Sequence, residues 1–226
     1  GQGEEAGGTI PLDMNATPKP QLPRSPAASP LSLLRAVGIG FTAPPPVVGA
    51  RVTLRLPDMG DFDSWARLRE ASRPFLVPWE PAWPHDDLTR TAFRRRIARY
   101  RQDWRDDQGY AFFLHRNDDG ALVGGMTLTN VRRGVAQTVS LGYWMGQRFA
   151  GKGYMSAAVR TIIPYAFGAL GLRRVEAACV PHNAASVGLL ERVGFTREGV
   201  ARQYLCINGT WMDHALYAFV QGDRLG

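Results

Sequence analysis

From Arg51 onward the spacing of apolar residues changes period several times, and each change marks an element. Val52-Thr53-Leu54-Arg55-Leu56 alternates with a period of two, which predicts a strand with one face on a core. A helix follows from about Asp61 to Glu70, led by acidic residues that suit the positive end of its dipole. Phe75 to Pro84 is rich in proline and tryptophan and predicts a stiff, shaped loop. A long helix spans roughly Leu88 to Asp106, with Arg94, Arg95, Arg96, Arg99 and Arg101 on its outer face.

Strands at about Tyr110 to His115 and Leu122 to Thr129 flank the turn Asn117-Asp118-Asp119-Gly120, and a third at Gln137 to Met145 completes an antiparallel meander. The order then becomes loop, helix (Tyr154 to Leu170, stopped by Gly171), strand (Val175 to Val180), helix (Ala184 to Val193, stopped by Gly194) and two strands split at Asn208-Gly209. Pro164 falls inside an apolar pattern that runs through it, so a kink is expected there and not a break. The whole reads as one mixed α/β domain over residues 51 to 222.

Residues 1 to 50 lack this patterning. They hold nine of the sixteen prolines, among glycine, serine and alanine, around one apolar patch at Leu31 to Val37 that could form a turn or two of helix. This composition predicts a flexible tail. Its acidic and basic residues cancel (Glu4, Glu5 and Asp13 against Lys19, Arg24 and Arg35), so the net charge of +7 belongs to the domain. A basic domain suits an anionic ligand or a nucleic-acid-rich site of action, although charge alone also serves solubility. No stretch reaches the roughly 18 apolar residues of a membrane span. Cys179 and Cys206 both lie in apolar runs, as reduced cysteines do. A cytosolic protein is expected. The four histidines show no spacing with carboxylates that would hold a metal, and no Gly-x-Ser-x-Gly elbow is present, so neither metal nor acyl-enzyme chemistry is expected.

The chemistry concentrates in two segments. Gln147-Arg148-Phe149-Ala150-Gly151-Lys152-Gly153-Tyr154 joins a strand to a helix, and its glycines place bare backbone N–H groups at the helix N-terminus, where an anion binds. Its spacing is neither that of a Walker loop nor that of a dinucleotide fingerprint. Downstream, Pro181-His182-Asn183-Ala184-Ala185-Ser186 leads into a helix, with Asn183 suited to the N-cap.

The pair of segments resembles the GNAT superfamily of acetyltransferases: the first its pyrophosphate loop, the second the asparagine-led helix beside the pantetheine arm. Phe75-Leu76-x-Pro78-Trp79-Glu80-Pro81, Asn130-Val131-x-Arg133-Gly134 and Gly209-x-Trp211-x-Asp213-His214 are similar to the RimJ/RimL type of ribosomal-protein acetyltransferase, its RimJ branch in particular, and extend the likeness over residues 51 to 220. The resemblance implies a mostly antiparallel sheet splayed around acetyl-CoA as co-substrate. Tyr143, Trp144 and Met145 would offer backbone groups to the pantetheine, and Arg148, Phe149, Ala150, Gly151, Lys152, Gly153 and Tyr154 would hold the pyrophosphate. Lys152 or the arginines of the long helix would meet the remaining phosphate charge. Asn183 and Ser186 would lie beside the arm, Ser186 near the thioester sulfur as a hydrogen-bond donor.

The acceptor implied is a protein N-terminus, alanine on a small-subunit ribosomal protein, in a groove walled by residues 75 to 84 and 196 to 214, with Trp79, Glu80 and Tyr204 at its surface. Ribosome association is implied as well, and monomer and homodimer stay open. The sequence departs from the ribosomal alanine acetyltransferase pattern at Leu190, where a proton-donating tyrosine is usual, and at Ala178, where a glutamate is. Candidates for a general base are therefore Glu80, His85 and Glu176. Two rival readings stand beside this one: acetylation of a polyamine or aminoglycoside, which calls for an acidic pocket, and a non-catalytic CoA-binding or ribosome-assembly factor using the arginine-rich helix.

Overall fold

The computed structural model describes residues 42–226, so the patch at Leu31 to Val37 lies outside the described residues. One eight-stranded sheet organises the chain. Its strands are β1 (Val47–Val48), β2 (Val52–Arg55), β3 (Gly109–Arg116), β4 (Leu122–Arg132), β5 (Thr138–Met145), β6 (Arg174–Cys179), β7 (Thr196–Ile207) and β8 (Thr210–Val220). They lie in the order β1-β2-β3-β4-β5-β6-β8-β7, and only the β5–β6 pair is parallel. The parallel pair is forced by what lies between: α4 (Tyr154–Gly168) is the crossover that such a pair requires. The remaining helices are α1 (Phe62–Ala71), α2 (Arg73–Leu76), α3 (Arg90–Arg105) and α5 (Ala184–Val193).

Adjacent residues of a strand face opposite sides of the sheet, and β3 uses both. Phe113 meets Phe93 of α3, while Phe112 meets Tyr165 of α4. The strand is consequently buried along most of its length, as are β4 from Leu122 to Met126 and the inner turns of α4. No described helix is long and apolar enough to cross a membrane.

Three details differ from the sequence expectation. The wall at residues 75–84 begins as helix: α2 and a 3-10 turn over Val77–Trp79 carry Pro74 and Pro78 in their first turns, where the fixed φ of proline is already helical and its missing N–H costs nothing. Val47–Val48, inside the segment without patterning, pairs with Thr53 and Leu54. At the other end of the sheet, β7 opposes β8 with a bulge: four steps from Ala201 to Leu205 face two from His214 to Met212, and Gln203 at the bulge has φ 46°. Its N–H is held by Asp213 Oδ1 at 2.8 Å. The helix through Pro164 continues to Gly168. Asn208 and Gly209, at φ 44° and 82°, make the two-residue hairpin turn that the dipeptide predicts.

Candidate active site

β5 and β6 pair from Thr138↔Arg174 to Leu141↔Ala177 and then part. Beyond Leu141 the two strands diverge, so Gly142 to Met145 keep β4 on one side and turn their other backbone edge to an open V. This is where Tyr143, Trp144 and Met145 were expected to serve. Trp144 lies across the sheet over Gly125, where a Cβ would stand 2.3 Å from its Nε1, so only glycine leaves room for the indole.

The loop after β5 is built for an anion. Gln147–Phe149 forms a 3-10 turn whose Phe149 plugs into the core, and Gly151 and Gly153 take φ of 71° and 80°. Gly153 caps α4 with no side chain bonding the free N–H groups, whereas Asn183 caps α5 by accepting from the Ser186 N–H at 3.1 Å. The uncapped terminus therefore has exposed donors and a favourable dipole to offer phosphate. Gly151, Lys152 and Gly153 are exposed, and Arg148 lies over the Phe149 ring at 4.6 Å.

Further positive charge at the loop comes from Arg51, just before β2, and from Arg116 of β3. Arg51 donates to the Lys152 carbonyl at 2.6 Å and lies 4.6 Å from the Tyr154 ring; Arg116 approaches the Phe149 ring at 5.6 Å. A single arginine a hundred residues upstream gives no sequence signal. A Cβ on Gly153 would come within 2.9 Å of Arg51 Nη1, in a left-handed conformation that itself disfavours a side chain by about 1–2 kcal/mol. Gly153→Ala and Arg51→Ala are each expected to raise the Kd for CoA roughly tenfold, a change of about 1.4 kcal/mol. Isothermal titration with CoA checks this, and unchanged affinity in both variants would remove the loop from the site.

At the apex of the V a cavity of about 340 Å³ is lined by Trp79, Glu80, Tyr143, Ser186, Cys206 and His214, among others. Val180 separates it from a shallower groove of about 550 Å³ bounded by His182, Trp211 and Asp213. Across the cavity the Tyr143 hydroxyl and Ser186 Oγ stand 2.7 Å apart. Burial pushes the Tyr143 phenol above its ordinary value, with the Ser186 bond opposing, so it stays protonated. Leu190, where the resemblance called for a tyrosine, is fully buried in the core. The tyrosine that lines the cavity belongs to β5.

Glu80 is held by three donors: Arg69 Nη1 and Nη2 at 2.7 and 2.6 Å and Trp83 Nε1 at 2.7 Å. Its backbone carbonyl accepts from Asn208, which ties the hairpin tip to the wall. Arg69 is itself clasped between Trp83 (4.1 Å) and Trp144 (5.0 Å). His85 and Glu176 do not line the cavity; Glu176 pairs with Arg132 and Arg174. Trp79 packs against His182 with ring centroids 5.5 Å apart and Tyr204 against His214 at 5.8 Å, both pairs tilted. Cys179 and Cys206 are free thiols in the cavity wall, and burial pushes that of Cys179 up to about 11. Among the described residues no group of three His, Cys, Asp or Glu could hold a metal.

The profile of the acetyltransferase (GNAT) domain family matches residues 51–196. The chain belongs to the GNAT acetyltransferase family. It is 34% identical over 175 residues to the [Ribosomal protein uS5]-alanine N-acetyltransferase of Escherichia coli, covering 76% of this chain and 89% of that one. The probable N-acetyltransferase YjcK of Bacillus subtilis is also 34% identical, over 77% of this chain and 97% of its own. Among solved structures, Mycobacterium smegmatis RimJ in complex with CoA-disulfide superposes with a TM-score of 0.72 at 33% identity, covering 79% of this chain and 86% of that chain. The molecule is therefore an acetyl-CoA-dependent N-acetyltransferase of the GNAT fold, similar to RimJ-type enzymes.

Proposed function

We propose that this GNAT enzyme acetylates the N-terminal α-amine of a protein, alanine on a small-subunit ribosomal protein in the first instance, in the cytoplasm. The observation that carries the reading is the state of Glu80. Among the described residues it is the one carboxylate lining the inner cavity, and its charge is met by Arg69 and Trp83. A polyamine or aminoglycoside needs unpaired negative charge to offset its own, and this wall offers none. An extended peptide, by contrast, fits the groove beside Trp211 leading over Val180 to the cavity. The relative from Escherichia coli named above supports an alanine terminus. The exposed arginines Arg94, Arg99 and Arg101, with no ion pair among the described residues, support contact with ribosomal RNA.

In this reading Gly151 to Gly153 hold the pyrophosphate, Arg51, Arg148 and Lys152 balance its charge, and the open edge of Tyr143 to Met145 aligns the pantetheine. Acetyl-CoA supplies the activated acyl group. Positioning carries much of the rate, because an α-amine titrates near pH 8 and is partly neutral at cytosolic pH. Tyr143 donates to Ser186, which leaves the serine hydroxyl free to donate to the departing sulfur. Glu80 orients the wall through its bonds to Arg69 and Trp83.

Thiol release from acetyl-CoA should be followed with a short peptide beginning with alanine and, separately, with spermidine. Acetylation of the peptide α-amine, located by mass spectrometry, at a kcat/KM at least a hundredfold above that for spermidine is the expected result. A preference for spermidine would overturn the acceptor, and binding of acetyl-CoA with no transfer to either would favour a non-catalytic factor.

A further inference from the structure

His214 sits on β8 at the floor of the inner cavity and is 2% exposed. Its Nδ1 lies 2.9 Å from the Met212 carbonyl oxygen. A carbonyl only accepts, so the proton of a neutral ring is fixed on Nδ1 and the lone pair on Nε2. Among the described residues the buried side-chain nitrogens without a partner are Arg69 Nε, Arg96 Nε and His115 Nε2. His214 Nε2 is not among them and makes no hydrogen bond to a described residue, so it opens onto the cavity that the ring lines. The bulge in β7 holds the ring in place by laying Tyr204 against it, and Asp213, next in the chain, spends its carboxylate on the Gln203 N–H and not on the imidazole.

We propose that His214 Nε2 is the group that takes the proton from the attacking amine. The proposal rests on the α-amine acceptor argued above. The amine nitrogen forms a bond to the thioester carbonyl carbon, whose π electrons move to oxygen. As they return, the C–S bond breaks and the sulfur leaves with its electron pair. The nitrogen, positively charged after attack, passes one proton to Nε2; the thiolate is hydrogen-bonded by Ser186 and takes a proton from solvent, to which the imidazolium later gives one. Atoms and charge balance as amine plus thioester giving amide plus thiol. Tyr204 of β7 packs against the ring, and Tyr143 of β5, Cys179 of β6, Cys206 of β7 and Glu80, paired with Arg69, line the same cavity. The Glu80 carboxylate and the Arg69 guanidinium pair with each other, so no unpaired carboxylate of the cavity lining bonds the ring.

The test is His214→Asn, whose amide can still donate to the Met212 carbonyl but has no basic nitrogen. Against the alanine peptide, kcat is expected to fall roughly 100-fold, the lower range for loss of a general base. The Kd for CoA stays unchanged. On the acid side log kcat/KM of the parent should rise with a slope of two, one proton from the substrate amine and one from His214, and the variant with a slope of one. A parental slope of one, a variant within threefold of the parent, or a slow variant with the slope still two, as a structural role would give, overturns the proposal. NMR of 15N-histidine-labelled parent enzyme gives a reading independent of turnover and of the variant's folding: the neutral ring should carry its proton on Nδ1, and a proton on Nε2 would overturn the assignment. Failure of the acceptor reading would appear separately, as a parent enzyme that leaves the peptide unmodified while the NMR result holds.

Discussion

Arg69→Met is expected to lower the stability of the domain by about 3–5 kcal/mol, the usual cost of removing one partner of a buried ion pair. The side chains of Arg69 and Glu80 are only 7% and 20% exposed, and their two parallel bonds join α1 to the wall of the acceptor cavity. Removing the guanidinium leaves the carboxylate with Trp83 alone and empties the space between Trp83 and Trp144. Because the loss comes mainly from an uncompensated charge, adding Glu80→Gln should return part of it, so the double variant should lose less than the two single variants together. Urea unfolding of the four proteins measures both quantities, and an Arg69→Met midpoint close to that of the parent would mean that the pair is not held in solution. The same variant bears on specificity. With Glu80 unpaired, the cavity would acquire the negative charge a polycation needs, so spermidine acetylation should increase relative to the peptide as measured on the folded fraction.

The period changes from Arg51 onward were enough to place the long elements, because each buries a repeating face: the strands from β2 to β8 and the helices α1, α3, α4 and α5 fall close to where the apolar pattern put them. The glycines of the loop and the cap at Asn183 were legible for the same local reason, since Gly151 and Gly153 need positive φ and Ser186 follows its cap by three residues. What the pattern could not carry is side-chain direction across the V. Tyr143 reads from sequence as one more strand residue, and only the divergence of β5 from β6 aims its hydroxyl at a serine 43 positions away. Arg51 meets Lys152, Arg69 meets Trp144 and His214 meets Tyr204 at a bulge, and none of these contacts leaves a period in the sequence. The helical start of the wall was missed because a run rich in proline reads as loop, while Pro74 and Pro78 in fact sit in first turns. Phe149 and Tyr154 matched a motif yet have buried rings, so their aromatic groups anchor the loop in the core.

Tyr143→Phe and Ser186→Ala are each expected to reduce kcat about 10- to 100-fold, within or just below the range for a positioned proton donor, and the double variant to lose little more than either alone. The reason is serial: with 2.7 Å between the oxygens, one hydroxyl orients the other, so removing either disables the same donation to the leaving sulfur. Independent roles would instead give losses that multiply, and single-turnover kinetics with the alanine peptide separates the cases. The direction of the Tyr143 shift adds a second check. Burial holds its folded-state value above that of an exposed tyrosine, so the phenol stays neutral through the working range and should produce no alkaline loss of rate near the ordinary tyrosine value. Above that ordinary value the unfolded chain ionises more readily than the folded one, and stability is lost as pH rises. Tyr143→Phe removes this liability. It should therefore be less stable than the parent at neutral pH by about 1 kcal/mol, for the lost hydrogen bond, and should close that gap as the pH passes above 10. A gap that stays constant across that interval would mean that the phenol is not buried, and the donor role argued for it would fall with its burial.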